Sequence, residues 1–125
     1  NAGGGFSTRR GLAVTRWRND ATRDHHGTFL YLRDADSGRV WSAGHQPTGA
    51  APDAYEVVYS VDKAEFRRRD EAVETHLEVC VVPDQDVEVR RLTVANHGTR
   101  PRTIEVTSYA EVVLNDPRAD LAHPA

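Results

Sequence analysis

Val73-Glu74-Thr75-His76-Leu77-Glu78-Val79-Cys80-Val81 (residues 73–81) decides the fold class. Its odd positions carry Val, Thr, Leu, Val and Val, and its even positions Glu, His, Glu and Cys. Period two places successive side chains on opposite faces of a strand, so one face is buried and the other mostly wet. Downstream, Ile104, Val106, Ser108, Ala110, Val112 and Leu114 form a second such row, with Glu105, Thr107, Tyr109 and Glu111 on its opposite face. Between them, residues 86–94 are apolar at odd Val87 and Val89, then at even Leu92 and Val94. A regular strand cannot change parity, so an extra residue is expected near Arg90-Arg91 as a β-bulge. The alternative is a strand buried on both faces with the two arginines at a rim.

Turn residues separate the runs. Residues 34–38 (DADSG) read as a hairpin between GTFLYLR and RVWSAG. Residues 61–63, 70–71, 83–85 and 96–101 mark further short connections. Antiparallel neighbours follow, and with them an all-β, antiparallel β-sandwich. Residues 1–125 read as a single β-sandwich unit, expected to be a segment of a larger polypeptide: the first residue is Asn, and residues 120–125 carry no stop signal. The longest loop, 44–54, is rich in Gly, Pro and Ala, and long loops on β-scaffolds are common binding elements. No helix is expected, since Leu12 and Val14 alternate with Ala13, Thr15 and Trp17.

A net charge of −3 argues against a nucleic-acid footprint, which needs a basic surface. No apolar run approaches the ~20 residues of a membrane helix. The lone Cys80 cannot form an internal disulfide and fits a reducing, cytoplasmic setting.

Catalytic constellations are sparse. The six histidines show no i, i+4 pair and there is no Cys-x-x-Cys, so no metal site is expected. His25-His26 reads as a polar loop. Ser7, Ser42 and Ser108 lack a nucleophile motif, and Cys80 reads as strand filler. Glu74, Glu78, Glu105 and Glu111 read as solvated strand faces rather than a glycosidase pair. In Arg67-Arg68-Arg69, cross-strand ion pairing is the expected role. Trp41 stands at a strand end beside His45, Gln46 and Pro47, a grouping able to stack and hydrogen-bond a sugar. Gly3-Gly4-Gly5 followed by Phe6 and Ser7 points to a loop whose backbone must be approached closely by a ligand, an anion or a second domain.

These stretches together carry a resemblance. NAGGGFS, LAVTRWRNDATRD, GTFLYLRD, VWSAGHQP, AEFRRRD, residues 77–114 and AHPA resemble, in order, the N-terminal β-domain of the family once called glycosyltransferase family 36. These are the inverting glycoside phosphorylases, and the resemblance is nearest to the phosphorylase-like portion of cyclic β-1,2-glucan synthases. It implies a β-supersandwich similar to galactose-mutarotase-like folds, of which this chain holds about the first half. It also implies a helical linker and an (α/α)-barrel that carries the general-acid Asp, so no catalytic residue and no cofactor is expected in this chain; inorganic phosphate is a substrate of the parent. Gly3, Gly4, Gly5, Phe6, Ser7, Trp41, His45 and Gln46 are the implied carbohydrate or domain-interface residues. Two positions depart from the family pattern, which has Tyr where this chain has Phe6 and, in the glucan-synthase branch, often Tyr at His45.

Three roles follow as expectations. The chain is a non-catalytic carbohydrate-binding scaffold of a β-glucan enzyme, an independent carbohydrate-binding module, or a structural sandwich. The implied partners are a β-glucan oligosaccharide, the helical barrel of the parent, which is cytoplasmic or the cytoplasmic part of a membrane-anchored protein, and a second copy covering an open face.

Overall fold

The alternation at Val73–Val81 is realised as a nine-residue strand with Val73, Thr75 and Leu77 buried. The computed structural model describes residues 4–20 and 22–123. Its strands are β1 (Thr8–Arg9), β2 (Leu12–Thr15), β3 (Thr28–Asp34), β4 (Val40–Ser42), β5 (Ala54–Tyr59), β6 (Lys63–Asp70), β7 (Val73–Val81), β8 (Glu88–Asn96), β9 (Ile104–Ala110) and β10 (Val112–Asn115). All pairings are antiparallel, in three sheets ordered β1-β2-β10, β4-β3-β9 and β5-β6-β7-β8. One short helix, α1 (Pro117–Ala122), was not anticipated. Its start is nevertheless written in the sequence: the Asp116 side chain accepts from the Arg118 N–H, and Pro117 occupies the first turn.

The core is a sandwich of two cross-strand pairs. Leu32 lies opposite Trp41 in one sheet, and Phe66 opposite Leu77 in the other. With Ala43 and Val73 they form one buried cluster. Burial of each large side chain contributes about 1.5–3 kcal/mol.

The expected bulge in β8 is absent. β7 and β8 pair without interruption from Val73 opposite Asn96 to Val81 opposite Glu88. Up to Leu92 the inward set is even; beyond it Val94 is exposed and Ala95 partly buried. Leu92 faces Leu77, and Arg90 holds the next inward place, opposite Val79. Val87 and Val89 are exposed. The parity switch therefore marks a charged residue on the inner face, not an inserted one. The irregularity sits instead in β10, whose register against β2 shifts between Val112 and Asn115, with Leu114 at φ 51°.

The row from Ile104 to Leu114 is also not one strand. It breaks at Glu111 and passes from the β3 sheet to the β2 sheet. Val106, Val112 and Leu114 are exposed, because no sheet of the described residues covers that side.

One end of the sandwich is closed by charge. Arg102 bridges Asp34 (2.6 Å) and Glu71 (3.3 Å), and Arg39 links Glu71 (3.6 Å) to buried Asp70 (3.1 Å). Burial pushes the Asp34 carboxyl up, but the Asp36 and Ser37 N–H groups and Arg102 hold it below its usual range. On the outer face, Lys63 and Arg91 hold Glu78 down to about 2. Carboxylates with depressed folded pKa stabilise above their unfolded values and lose that contribution as pH falls. His26 is likewise depressed, first by burial and then by His25, and its contribution fades below its ordinary 6.5. We therefore expect Tm, followed by circular dichroism, to be highest above pH 6.5. It should begin to fall below that value and drop further from about pH 4.5 toward 2.

Candidate carbohydrate-binding cleft

The glycine-rich entry is built for a backbone crossing within this chain. Gly4 is buried, and a Cβ on it would stand 2.4 Å from the His26 carbonyl oxygen. A Cβ on Gly27 would stand 2.4 Å from the Gly5 oxygen. The Thr28 N–H donates to the Gly4 carbonyl (3.2 Å), and the Arg90 guanidinium donates to the carbonyls of Thr28 (3.1 Å) and Gly4 (3.5 Å). At Gly4 the close approach expected of this segment is made by residues 26–28 of the same chain. Gly3 lies outside the described residues.

From this crossing the chain delivers Phe6 and Ser7. Phe6 stacks on Trp17 with ring centroids 5.7 Å apart and planes at 29°, and both rings are more than 40% exposed (42% and 43%). The Ser7 N–H donates to the Thr15 hydroxyl (3.1 Å), its carbonyl accepts from the Val14 N–H (2.8 Å), and its hydroxyl donates to Glu88 (2.7 Å). The second Glu88 oxygen accepts from Arg90 (2.7 Å). Burial raises the Glu88 carboxyl, but Ser7 and Arg90 outweigh it and hold it low, so it is ionised at neutral pH. Between this segment and the β7–β8 connection lies a cleft of about 400 Å³. Phe6, Val14, Val81 and Val87 supply its apolar lining; Ser7, Arg9, Gln85, Asp86 and Glu88 supply the polar groups. Arg9 and Asp86 form an ion pair at its edge.

The second expected group does not assemble as a stacking platform. Trp41 is 1% exposed and belongs to the core, so it presents no ring to a sugar. The reason is parity: Trp41 pairs with fully buried Leu32 on the inner face. His45 is exposed, its N–H donating to the Tyr55 hydroxyl (3.1 Å) and its ring tilted 6.3 Å from that of Tyr55. Gln46 precedes a cis Pro47 and shares a shallow hollow with Arg23, Asp24 and His25. The rings of His25 and His26 lie 4.1 Å apart and tilted. Residues 22–28 thus stand between the two groups, touching Gly4 through His26 and sharing a hollow with Gln46 through His25.

The loop at 44–54 is held from beneath by Arg68. This side chain is fully buried and meets Asp70 on its own strand through two contacts (2.6 and 2.9 Å). It also donates to the carbonyls of Gly44 (3.3 Å) and Ala50 (2.8 Å). Ionic pairing of the arginine run therefore occurs along β6 at Arg68, not across strands as expected. For Glu88, Arg90, Arg68 and Trp17 the sequence reading offered no role at these two groups. The signal for Arg68 was present, since period two from inward Phe66 places Arg68 and Asp70 on the same buried face.

On the outer face Glu65, His76 and Glu78 come within reach of one another. Lys63 contacts both carboxylates (3.3 and 2.9 Å), so their charge is already met by a cation.

Comparison with known proteins agrees with this architecture. Residues 1–125 match the model of the glycosyl hydrolase 94 supersandwich domain. The chain is 41% identical over 122 residues to the cyclic beta-(1,2)-glucan synthase NdvB of Rhizobium meliloti (strain 1021), covering 98% of this chain and 4% of that protein. It is 28% identical over 109 residues to the N,N'-diacetylchitobiose phosphorylase of Vibrio proteolyticus, with 86% of this chain and 14% of the relative covered. The corresponding enzyme of Vibrio furnissii is 31% identical over 100 residues, with 78% and 12% covered. This chain therefore spans only a small part of each of these relatives. It is a member of the glycosyl hydrolase 94 supersandwich-domain family.

Proposed function

We propose that this chain is a non-catalytic, carbohydrate-handling scaffold of a larger cytoplasmic or membrane-anchored enzyme that processes β-linked glucans. In that enzyme, inorganic phosphate attacks an anomeric carbon while an acid on a helical barrel protonates the leaving oxygen. The observation that carries the reading is the match to the supersandwich domain over residues 1–125, with 41% identity to a cyclic β-(1,2)-glucan synthase. Two surfaces suit a scaffold. Phe6, Ser7, His45 and Gln46 lie on elements held rigidly from below. The row from Ile104 to Leu114 leaves Val106 on β9 and Val112 and Leu114 on β10 exposed. The occupant we assign to that row is the remainder of the parent, and self-association of the isolated chain is the expected substitute.

The test is direct. Incubated with β-1,2-glucan oligosaccharides and phosphate, the chain alone should release no sugar 1-phosphate, and light scattering at high concentration should show a mass above the monomer. A full-length enzyme containing this sequence should release sugar 1-phosphate under the same conditions. Turnover by the chain alone overturns the reading.

A further inference from the structure

The cleft beneath Phe6 carries the observations furthest, because its chemistry selects among ligands. Its two carboxylates are each met by a guanidinium: Asp86 by Arg9, which also lines the cleft, and Glu88 by Arg90, which stands outside the lining. A balanced site favours a neutral ligand over a phosphate or an acidic polymer. Glu88 is ionised and offers about four lone-pair positions. Ser7 occupies one oxygen and Arg90 the other. Each oxygen keeps capacity for one more donor, and the Glu88 side chain is 30% exposed. Two adjacent hydroxyls would fill those places. Beside them, Phe6 is fixed by its stack on Trp17 and shows an apolar surface. A rigid aromatic next to a carboxylate that accepts paired hydroxyls suits a molecule with an apolar C–H face and a hydroxyl edge. The volume of about 400 Å³ lies in the ~300–1,000 Å³ range of small-molecule sites.

We propose that this cleft, between Phe6–Arg9 and Gln85–Glu88, is a binding site for a neutral, unsubstituted saccharide, a short β-linked glucan in particular. Glu88 is its hydroxyl-reading residue and Phe6 its platform. The assignment rests on the β-glucan reading above, which it deepens by naming the site and the ligand's charge class.

The experiment titrates the chain with β-1,2-linked glucotriose and, separately, with glucose 1-phosphate. Trp17 stacks on Phe6, which lines the cleft, while Trp41 lies buried in the core, so a ligand-induced change in intrinsic fluorescence reports on the cleft through Trp17. A saturable change with glucotriose and none with the phosphorylated sugar is expected. Glu88→Gln, nearly isosteric, should weaken binding about tenfold or more through loss of the charge-assisted hydrogen bonds. Phe6→Ala should do the same, and Arg100→Gln, in the exposed 96–101 connection at the opposite end of β8 from Glu88, should leave binding unchanged. The folded state of each variant is checked by far-ultraviolet circular dichroism.

Absence of saturable binding to folded chain at about 50 mM glucotriose overturns the proposal. Unchanged affinity in Glu88→Gln also overturns it, since Glu88 is then only a tether for Ser7. If a full-length enzyme carrying Glu88→Gln keeps its turnover and the chain does not bind, the cleft assignment falls and the scaffold reading stands. Phosphate-dependent cleavage by the chain alone brings down the scaffold reading instead.

Discussion

Arg68→Met is expected to destabilise the protein by about 3–5 kcal/mol, the range for breaking a buried ion pair from one side. The side chain removed is fully buried, and its partner Asp70 is 2% exposed. Methionine fills much of the volume, so the loss is mainly electrostatic. Among the described residues, the cation left to Asp70 is Arg39, at 3.1 Å and partly in water. The Ala50 carbonyl loses the Arg68 donor, and the Gly44 carbonyl loses one donor while keeping the Ser42 hydroxyl (3.0 Å). Against a total stability of about 5–15 kcal/mol this is a large fraction. A Tm decrease of about 10 °C or more should appear in a thermal scan. Arg68→Met combined with Asp70→Leu should recover part of the loss, because the stranded charge is then gone. If the double variant is as unstable as the sum of the singles, the charge pair is not the cause. Hydrogen exchange offers an independent readout. The Gly49 N–H, which donates to the His45 carbonyl at 3.0 Å, should exchange faster in Arg68→Met, because the loop it closes has lost its anchor.

The same residue shows where the sequence is readable and where it is not. Alternation identified β7, and turn residues located the hairpins after β3, β5, β6 and β7, because both signals are local. The open apolar row at β9 was also visible as a pattern, but its exposure depends on what covers it, which no local signal encodes. Arg68 and Arg90 occupy inward positions next to apolar Phe66 and Leu92. Read as charges, they suggest solvent; read by parity, they turn inward, Arg68 buried and Arg90 partly so, and both are tied to carbonyls of distant segments. Trp41 fails in the opposite direction: chemistry suggested a ligand platform, and parity with Leu32 places it in the core. The cleft itself joins Ser7 to Glu88, which are 81 residues apart. Such a pairing follows from topology, and topology is not written in either segment alone.

Gly27→Ala is the second change expected to cost heavily, and it tests the backbone crossing that supports the cleft. Gly27 adopts φ 118°, where a side chain is strained by about 1–3 kcal/mol before any contact is counted. Its added Cβ would then meet the Gly5 oxygen at 2.4 Å and the Gly4 carbonyl carbon and oxygen at 2.7 Å. These are backbone atoms and cannot swing aside as a side-chain tip can. Relief requires residues 4–5 to move, which breaks the Thr28 N–H bond to Gly4 and draws Gly4 away from Arg90. Each lost hydrogen bond adds about 0.5–1.5 kcal/mol, so the total should exceed about 2 kcal/mol. Gly38→Ala supplies the comparison. It has φ 73° with open space around its Cβ direction, so only the conformational term applies, about 1–2 kcal/mol. Chemical denaturation of the two variants should therefore separate strain from collision. Gly27→Ala should also shift Trp17 fluorescence, since Phe6 stacks on Trp17 and follows Gly5 directly. Equal losses at the two glycines, with Trp17 unchanged, would mean that the 4–5 segment is not pinned against residues 26–28 and that Phe6 and Ser7 owe their positions to something else.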